Sequence, residues 1–244
     1  MIVILGGTAE GRELSAALTA RGRPAVLSLA GRTRAPSTSG ETRTGGFGGV
    51  EGLVDYLNEV SADYVVDATH PFAAQMSTNA AEACRIAKVP LVRLSRPGWE
   101  DHPLAETWCW VSDHAEASRV VDEQGAEPVL LTVGKQHSLA YAERLANRRV
   151  VARMTEEPTG VIPEKWEILL ARGPFSLDDE LQLFRRLEVR ALVTKDSGGA
   201  HTAAKLEAAN TVGAAVVMIG RPAAPEGIET VASVAETLAF LGYA

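Results

Sequence analysis

An α/β architecture with parallel sheets is the fold class this sequence predicts, and three observations predict it. Short runs that are apolar throughout, such as residues 2–5, 129–133 and 215–219, read as strands buried on both faces, the pattern of a parallel sheet. Helix-length segments separate these runs, so strand and helix alternate in both halves of the chain. The first run ends in a glycine turn, Gly6-Gly7-Thr8, that leads straight into a helix. Two Rossmann-like parallel-sheet domains with an interdomain cleft are therefore expected, residues 1–124 and 125–244.

Composition narrows the function classes. The 244 residues suffice for a buried core, and 46% hydrophobic with 23% charged residues is ordinary for a globular protein. A formal net charge of −7 argues against a general nucleic-acid binder. No apolar run reaches the length of a membrane span, and the chain enters a strand at once, without the basic and apolar regions of a signal peptide. Cys84 and Cys109 make neither a disulfide framework nor a metal cluster, so packing in a reducing cytoplasm is their expected role. The expectation is a cytoplasmic protein with no metal, no membrane and no nucleic-acid partner, its oligomeric state, a monomer or an assembly, left open by the sequence. Of the 24 basic residues 19 are Arg; only those clustered beside other site signals carry weight.

In order along the chain, strand 2–5 and its glycine turn run into a helix over 10–20 with Thr8 as N-cap. A strand, a glycine turn and a helix N-terminus together suit a phosphate. Gly6 and Gly11 match the first and third glycines of the dinucleotide fingerprint, with Thr8 at the second. Residues 25–29 are the second strand. It ends in Ser28, Leu29 and Ala30, without the acid that binds the ribose 2′-OH of NAD, and Arg32 and Arg34 follow, which suits the 2′-phosphate of NADP. The Gly-, Ser- and Thr-rich stretch after it is loop, with a short strand at 42–44. A helix over 50–60 and a strand over 64–67 lead to "DATHPFA", with His70 beyond a strand end and Pro71 in the first turn of a helix to Lys88. Strand 89–94 leads to "RLSRPGW", where Arg93, Arg96 and Trp99 suit an acidic, planar ligand.

Strand 108–111 and helix 113–124 precede the second half. There strands at 129–133, 149–152, 168–171, 191–194 and 215–219 alternate with helices at 139–146, 177–187, 201–209 and 234–241. Lys135, Arg153, Arg172 and Lys195 each stand at or just beyond a strand C-terminus. In a parallel sheet those ends share an edge, so four cations make an anion-binding wall. Ser197, Gly198 and Gly199 add a possible nest for phosphate or carboxylate. No G-x-S-x-G elbow, H-E-x-x-H pair or C-x-x-C is present, which fits chemistry carried by a cofactor.

With these motifs in order, "ILGGTAEGREL" at 4–14, "SLAGRT" at 28–33, "DATHPFA" at 67–73, "RLSRPGW" at 93–99, "RGPFS" at 172–176 and "TKDSGG" at 194–199, the whole chain resembles the precorrin-6A reductases of cobalamin (vitamin B12) biosynthesis. The resemblance implies NADPH-dependent reduction of one double bond in the carboxylated precorrin-6A macrocycle to give precorrin-6B. It implies NADPH over Gly6, Gly7 and Thr8 with Arg32 near its 2′-phosphate. The macrocycle would fill the cleft on Arg93, Arg96, Lys135, Arg153, Arg172, Lys195, Ser197 and Gly198, with His70 or water as proton donor. Residues 1–124 would bind the dinucleotide and 125–244 contribute to substrate binding. Two alternatives stay open: a cobalt-precorrin-6A reductase of the anaerobic route, using NADH or NADPH, and a non-catalytic dinucleotide sensor. A sugar-nucleotide epimerase lacks its Tyr-x-x-x-Lys pair here.

Overall fold

A computed structural model describes residues 1–31, 40–199 and 202–243. They form two compact units, Met1–Pro97 with Pro222–Ala244, and Gly98–Arg221. In chain order the elements are β1 (Ile2–Leu5), α1 (Ala9–Ala20), β2 (Ala25–Leu29), β3 (Glu41–Thr44), α2 (Val50–Glu59), β4 (Tyr64–Asp67), α3 (Ala74–Ala87) and β5 (Leu91–Leu94). In the second unit follow β6 (Cys109–Val111), α4 (His114–Gln124), β7 (Val129–Leu131), α5 (Lys135–Ser138), α6 (Ala142–Leu145), β8 (Val150–Met154), β9 (Trp166–Leu170), α7 (Leu177–Leu187), β10 (Ala191–Lys195), α8 (Ala204–Val212) and β11 (Ala215–Ile219). The chain then returns to the first unit with β12 (Glu229–Val231) and α9 (Val234–Phe240).

Each unit holds one six-stranded sheet, ordered β12-β5-β4-β1-β2-β3 and β6-β11-β10-β7-β8-β9. Every pairing is parallel. With β7 aligned to β1 and β10 to β4, the two orders coincide. Each is the dinucleotide-fold order 3-2-1-4-5-6, with the sixth strand supplied by the chain's C-terminal segment in one unit and by β6 in the other. The two parallel-sheet α/β units that the alternation of strands and helices predicts are thus present.

The continuous apolar runs are explained by cover on both faces. In the first unit Leu14 and Leu18 of α1 and Leu238 of α9 pack on Ile2, Ile4 and Leu27. Leu53 and Leu57 of α2 and Ala80, Ala83 and Cys84 of α3 close the other face over Val3, Leu5, Val26 and Val65. Truncating any of these leucines to Ala costs about 2–5 kcal/mol. The Cys84 thiol is buried, and burial with the Asp67 charge pushes its pKa up to about 12, so it packs as an apolar group.

Three expectations are corrected. The units do not divide at Gln124, which ends α4 inside the second unit. Residues 222–244 belong with the first, because β12 adds to the edge of β5 with Thr230 opposite Arg93. β12 is three residues long and mostly exposed, too short to show a period in sequence. Pro71 stands before α3 rather than in its first turn, since Phe72 and Ala73 turn back to bond His70 and the helix starts at Ala74. The helix expected over 139–146 is broken into a 3-10 turn and the single turn α6.

Candidate functional site

At the C-terminal edge of the first sheet, β1 and β4 are neighbours whose connections leave in opposite directions, the crevice where open α/β sheets place ligands. The glycines there let neighbouring segments approach closely. A Cβ on Gly6 would lie 2.7 Å from Leu27 Cδ1, and one on Gly11 3.1 Å from the Ala68 Cβ. Gly7 is exposed, and its Cβ would stand 3.3 Å from the His70 backbone nitrogen, so the structure brings the glycine turn and His70 together. Thr8 caps α1: its hydroxyl accepts from Gly11 N–H at 3.1 Å and donates to the Ala68 carbonyl at 3.0 Å. That hydroxyl is spent on joining the turn to β4, so Thr8 offers a ligand its backbone rather than its side chain. A bare, exposed backbone at a helix N-terminus fits a dinucleotide pyrophosphate.

His70 is placed by Asp67. The buried Asp67 carboxylate accepts from Thr69 N–H, Thr69 Oγ1 and Ser77 Oγ, fixing the turn after β4. His70 Nδ1 accepts from Phe72 N–H at 3.2 Å, which assigns the proton of the neutral ring to Nε2. Next along the edge, Arg93 is 7% exposed, and its side chain makes no hydrogen bond or ion pair among the described residues. Arg96 is committed elsewhere, 2.7 Å from Glu10 in the first turn of α1. Burial pushes the Glu10 carboxyl up, but its own backbone N–H and Arg96 outweigh this and hold it below the usual range. Arg32, with Arg34, lies outside the described residues. At the end of β2, Ser28 pairs in register with Arg43 of β3, whose Nη1 is 3.5 Å from the Ser28 hydroxyl. Arg43 also stacks on Phe47 and Tyr56, a position sequence reading missed because the stretch has no period.

The four cations of the second unit have separate fates. Arg153, 8% exposed, makes a two-pronged pair with the buried Glu180 at 2.9 and 3.0 Å and lies over the Phe175 ring. It is a core ion pair rather than a free anion receptor, because α7 turns Glu180 inward against it. Lys135 is 3.6 Å from Glu156 at the surface. Arg172 is exposed. Lys195 ends β10, and burial lowers its pKa to about 8. Ser197 is buried, with its hydroxyl on Thr202, and Gly198 and Gly199 take the left-handed φ of a nest.

Asp196, between Lys195 and Ser197, is 2% exposed. It accepts from Trp99 N–H at 2.9 Å and pairs with Arg221 Nε at 3.1 Å, so it holds both ends of the second unit's chain. A Cβ on Gly98 would meet its Oδ2 at 2.5 Å, which explains the glycine of "RPGW". Trp99 packs in the core beside Trp108 instead of presenting a flat face to a ligand.

The sequence reading also missed an imidazole pair. The His114 and His137 rings stack at 4.1 Å and 10°, with His114 Nδ1 2.9 Å from the Tyr141 hydroxyl. They are 23 positions apart on α4 and α5, so no local pattern announces them. A groove of about 760 Å³ lies at the opposite edge, where Lys88, Pro90 and Ile228 precede β5 and β12. It is remote from these strand ends. Among the described residues no helix is long and apolar enough to cross a membrane.

The family model described as precorrin-6x reductase CbiJ/CobK matches residues 1–242. The chain belongs to this family. A reductase of the family implies a nicotinamide cofactor and a tetrapyrrole substrate. A precorrin-6A reductase of Rhodococcus erythropolis is 44% identical over 99% of this chain and 97% of its own length. One from Mycobacterium tuberculosis is 43% identical over 96% and 93%. A cobalt-precorrin-6A reductase of Priestia megaterium is 29% identical over 91% of each. The solved structure of a CobK precorrin-6A reductase superposes with a TM-score of 0.86 at 36% identity, covering 99% of this chain and 96% of that one. That structure carries the same two-unit fold class.

Proposed function

We propose that this chain reduces one double bond of precorrin-6A, giving precorrin-6B, with NADPH as reductant. The observation that carries the reading is family membership along the full chain, joined to a bare glycine turn against His70 at the first sheet's crevice. A bound nicotinamide supplies the hydride. The backbone of Gly6, Gly7 and Thr8 takes the pyrophosphate. His70, held by Asp67's turn, relays through Nε2 the proton that accompanies the hydride: the ring takes a proton from solvent to become imidazolium and returns to the neutral form on giving one to the macrocycle. Arg93, whose side chain has no partner among the described residues, and Lys195, Arg172, Lys135, Ser197 and Gly198 receive substrate carboxylates. Arg96 and Arg153 contribute less, since each already serves a carboxylate of the protein.

NADPH over NADH is supported by the end of β2, where no acid stands and Arg43 lies beside Ser28, with Arg32 three residues after Leu29. The metal-free substrate is supported by the higher identity to relatives named for precorrin-6A, 44% against 29% for the Priestia megaterium cobalt-precorrin-6A enzyme. The test is anaerobic mixing of the protein with NADPH and precorrin-6A while both absorption spectra are followed. Oxidation of NADPH matched by a change in the macrocycle is expected; binding of NADPH with no turnover sinks the reading and leaves a sensor. Arg32→Ala should narrow the NADPH-to-NADH preference, and an unchanged ratio refutes that assignment.

A further inference from the structure

The second sheet has a crevice of its own. β7 and β10 stand to it as β1 and β4 stand to the first sheet, and their connections also part there. Where the first unit places glycines, the second places titratable side chains. Lys195 is the last residue of β10, and His137 follows the Gly134 turn after β7. His114 comes from the first residue of α4 and stacks on His137. Tyr141, fully buried, sets its ring edge-on to His114 at 5.9 Å and its hydroxyl against His114 Nδ1 at 2.9 Å. Both imidazoles are only half-buried, so a ligand can reach them.

We propose that His114, His137 and Lys195 form a subsite for one carboxylate of the macrocycle, and that the subsite takes a proton from solvent as the carboxylate binds. The inference rests on the reading of the chain as a precorrin-6A reductase and adds to it a second recognition centre. Its physical basis is withheld charge. Burial first, then His137, then Lys195 lower the His114 pKa to about 4, and burial followed by Lys195 lowers that of His137. Near neutral pH the cluster therefore holds one ammonium and two uncharged rings. Burial keeps the Tyr141 hydroxyl protonated, so it can donate to His114 Nδ1 in the tautomer that carries its proton on Nε2 and accept from Nδ1–H once the ring is charged.

Among the described residues, the charged neighbours of the cluster on its own elements already serve other groups. On α4, Asp113 raises the His114 pKa but is spent as helix cap on Glu116 N–H. On α5, Lys135 leans to Glu156. Beyond β10, Asp196 is turned to Trp99 and Arg221. An incoming carboxylate would add the negative charge that offsets Lys195. The imidazole pair then regains basicity, one ring accepts a proton, and that imidazolium donates a charge-assisted hydrogen bond to the carboxylate, which stays ionised.

Calorimetric titration of precorrin-6A into the full chain at pH 7, in phosphate and in Tris, reads the proton directly. The expected difference in heat corresponds to uptake of about one proton per chain. In His114→Asn/His137→Gln the difference vanishes and affinity falls about 10-fold or more. Should that variant fail to fold, the C2–H titrations of the wild-type histidines decide alone: both pKa values rise when precorrin-6A is bound. Turnover with no proton uptake and unmoved histidine titrations overturns the subsite while leaving the reductase reading intact. Failure of precorrin-6A to bind or react overturns both. Proton uptake driven by NADPH instead assigns the cluster to a phosphate and overturns the carboxylate.

Discussion

The two units share a strand order and differ in what stands at the equivalent crevice. In the first, the ends of β1 and β4 present bare glycine backbone, and the Asp67 carboxylate is taken up by hydroxyl and amide donors that hold the His70 turn. In the second, Lys195 at the end of β10 and His137 after β7 stand with His114 of α4, and the Asp196 carboxylate bonds Trp99 N–H and Arg221 at the unit's entry and exit. The fold repeats the place; the side chains decide the ligand. A glycine turn lined by N–H groups suits a pyrophosphate, and a cluster of desolvated bases suits a carboxylate.

Substitutions can break that contrast. The largest effect is expected at Arg153. Arg153→Met strands the buried Glu180 charge and should cost about 3–5 kcal/mol in urea denaturation, while Arg153→Met/Glu180→Leu recovers most of it. If the double variant binds precorrin-6A as wild type does, Arg153 is structural; a large loss of affinity in a stable protein would return it to the binding wall. Asp196→Ala should cost about 3 kcal/mol by orphaning Trp99 N–H and Arg221. A loss below about 0.5 kcal/mol would mean that Asp196 holds nothing.

In the first unit, His70→Asn should lower kcat about 100-fold with little change in the KM for NADPH. Undiminished kcat removes His70 as proton donor. The smallest effect is one of pH. His114 in the folded chain has a pKa of about 4, below the ordinary 6.5, so the unfolded chain takes up its proton first. The stability due to the neutral ring is present above about pH 6.5 and is lost as pH falls toward about 4. Thermal melts should drop by about a few degrees over that window, and His114→Asn should flatten this part of the curve. An identical slope in the variant would contradict the shift.

Sequence reading found what local pattern encodes. Continuous apolar runs gave nearly all the strands, and α7 and β11 fall on the predicted residues. Its failures have one physical origin, contact between residues distant in the chain. β12 is recognisable only through its pairing with β5, and so the division at Gln124 went astray. The cations at strand ends were legible as positions, but not that Glu180 would claim Arg153 or Glu10 claim Arg96. Trp99 and Asp196 belong to motifs 95 positions apart, at 93–99 and 194–199, that meet as a structural clasp rather than a ligand platform. Nothing in sequence pairs His114 with His137.

The division of labour between the two crevices is tested most directly by hydrogen–deuterium exchange with each ligand added separately. NADPH should slow exchange at residues 6–11 and 68–73 of the first unit, and precorrin-6A should slow it at 132–138 and 194–199 of the second. Protection by precorrin-6A confined to the first unit, or by NADPH at the second unit's crevice, would contradict the account.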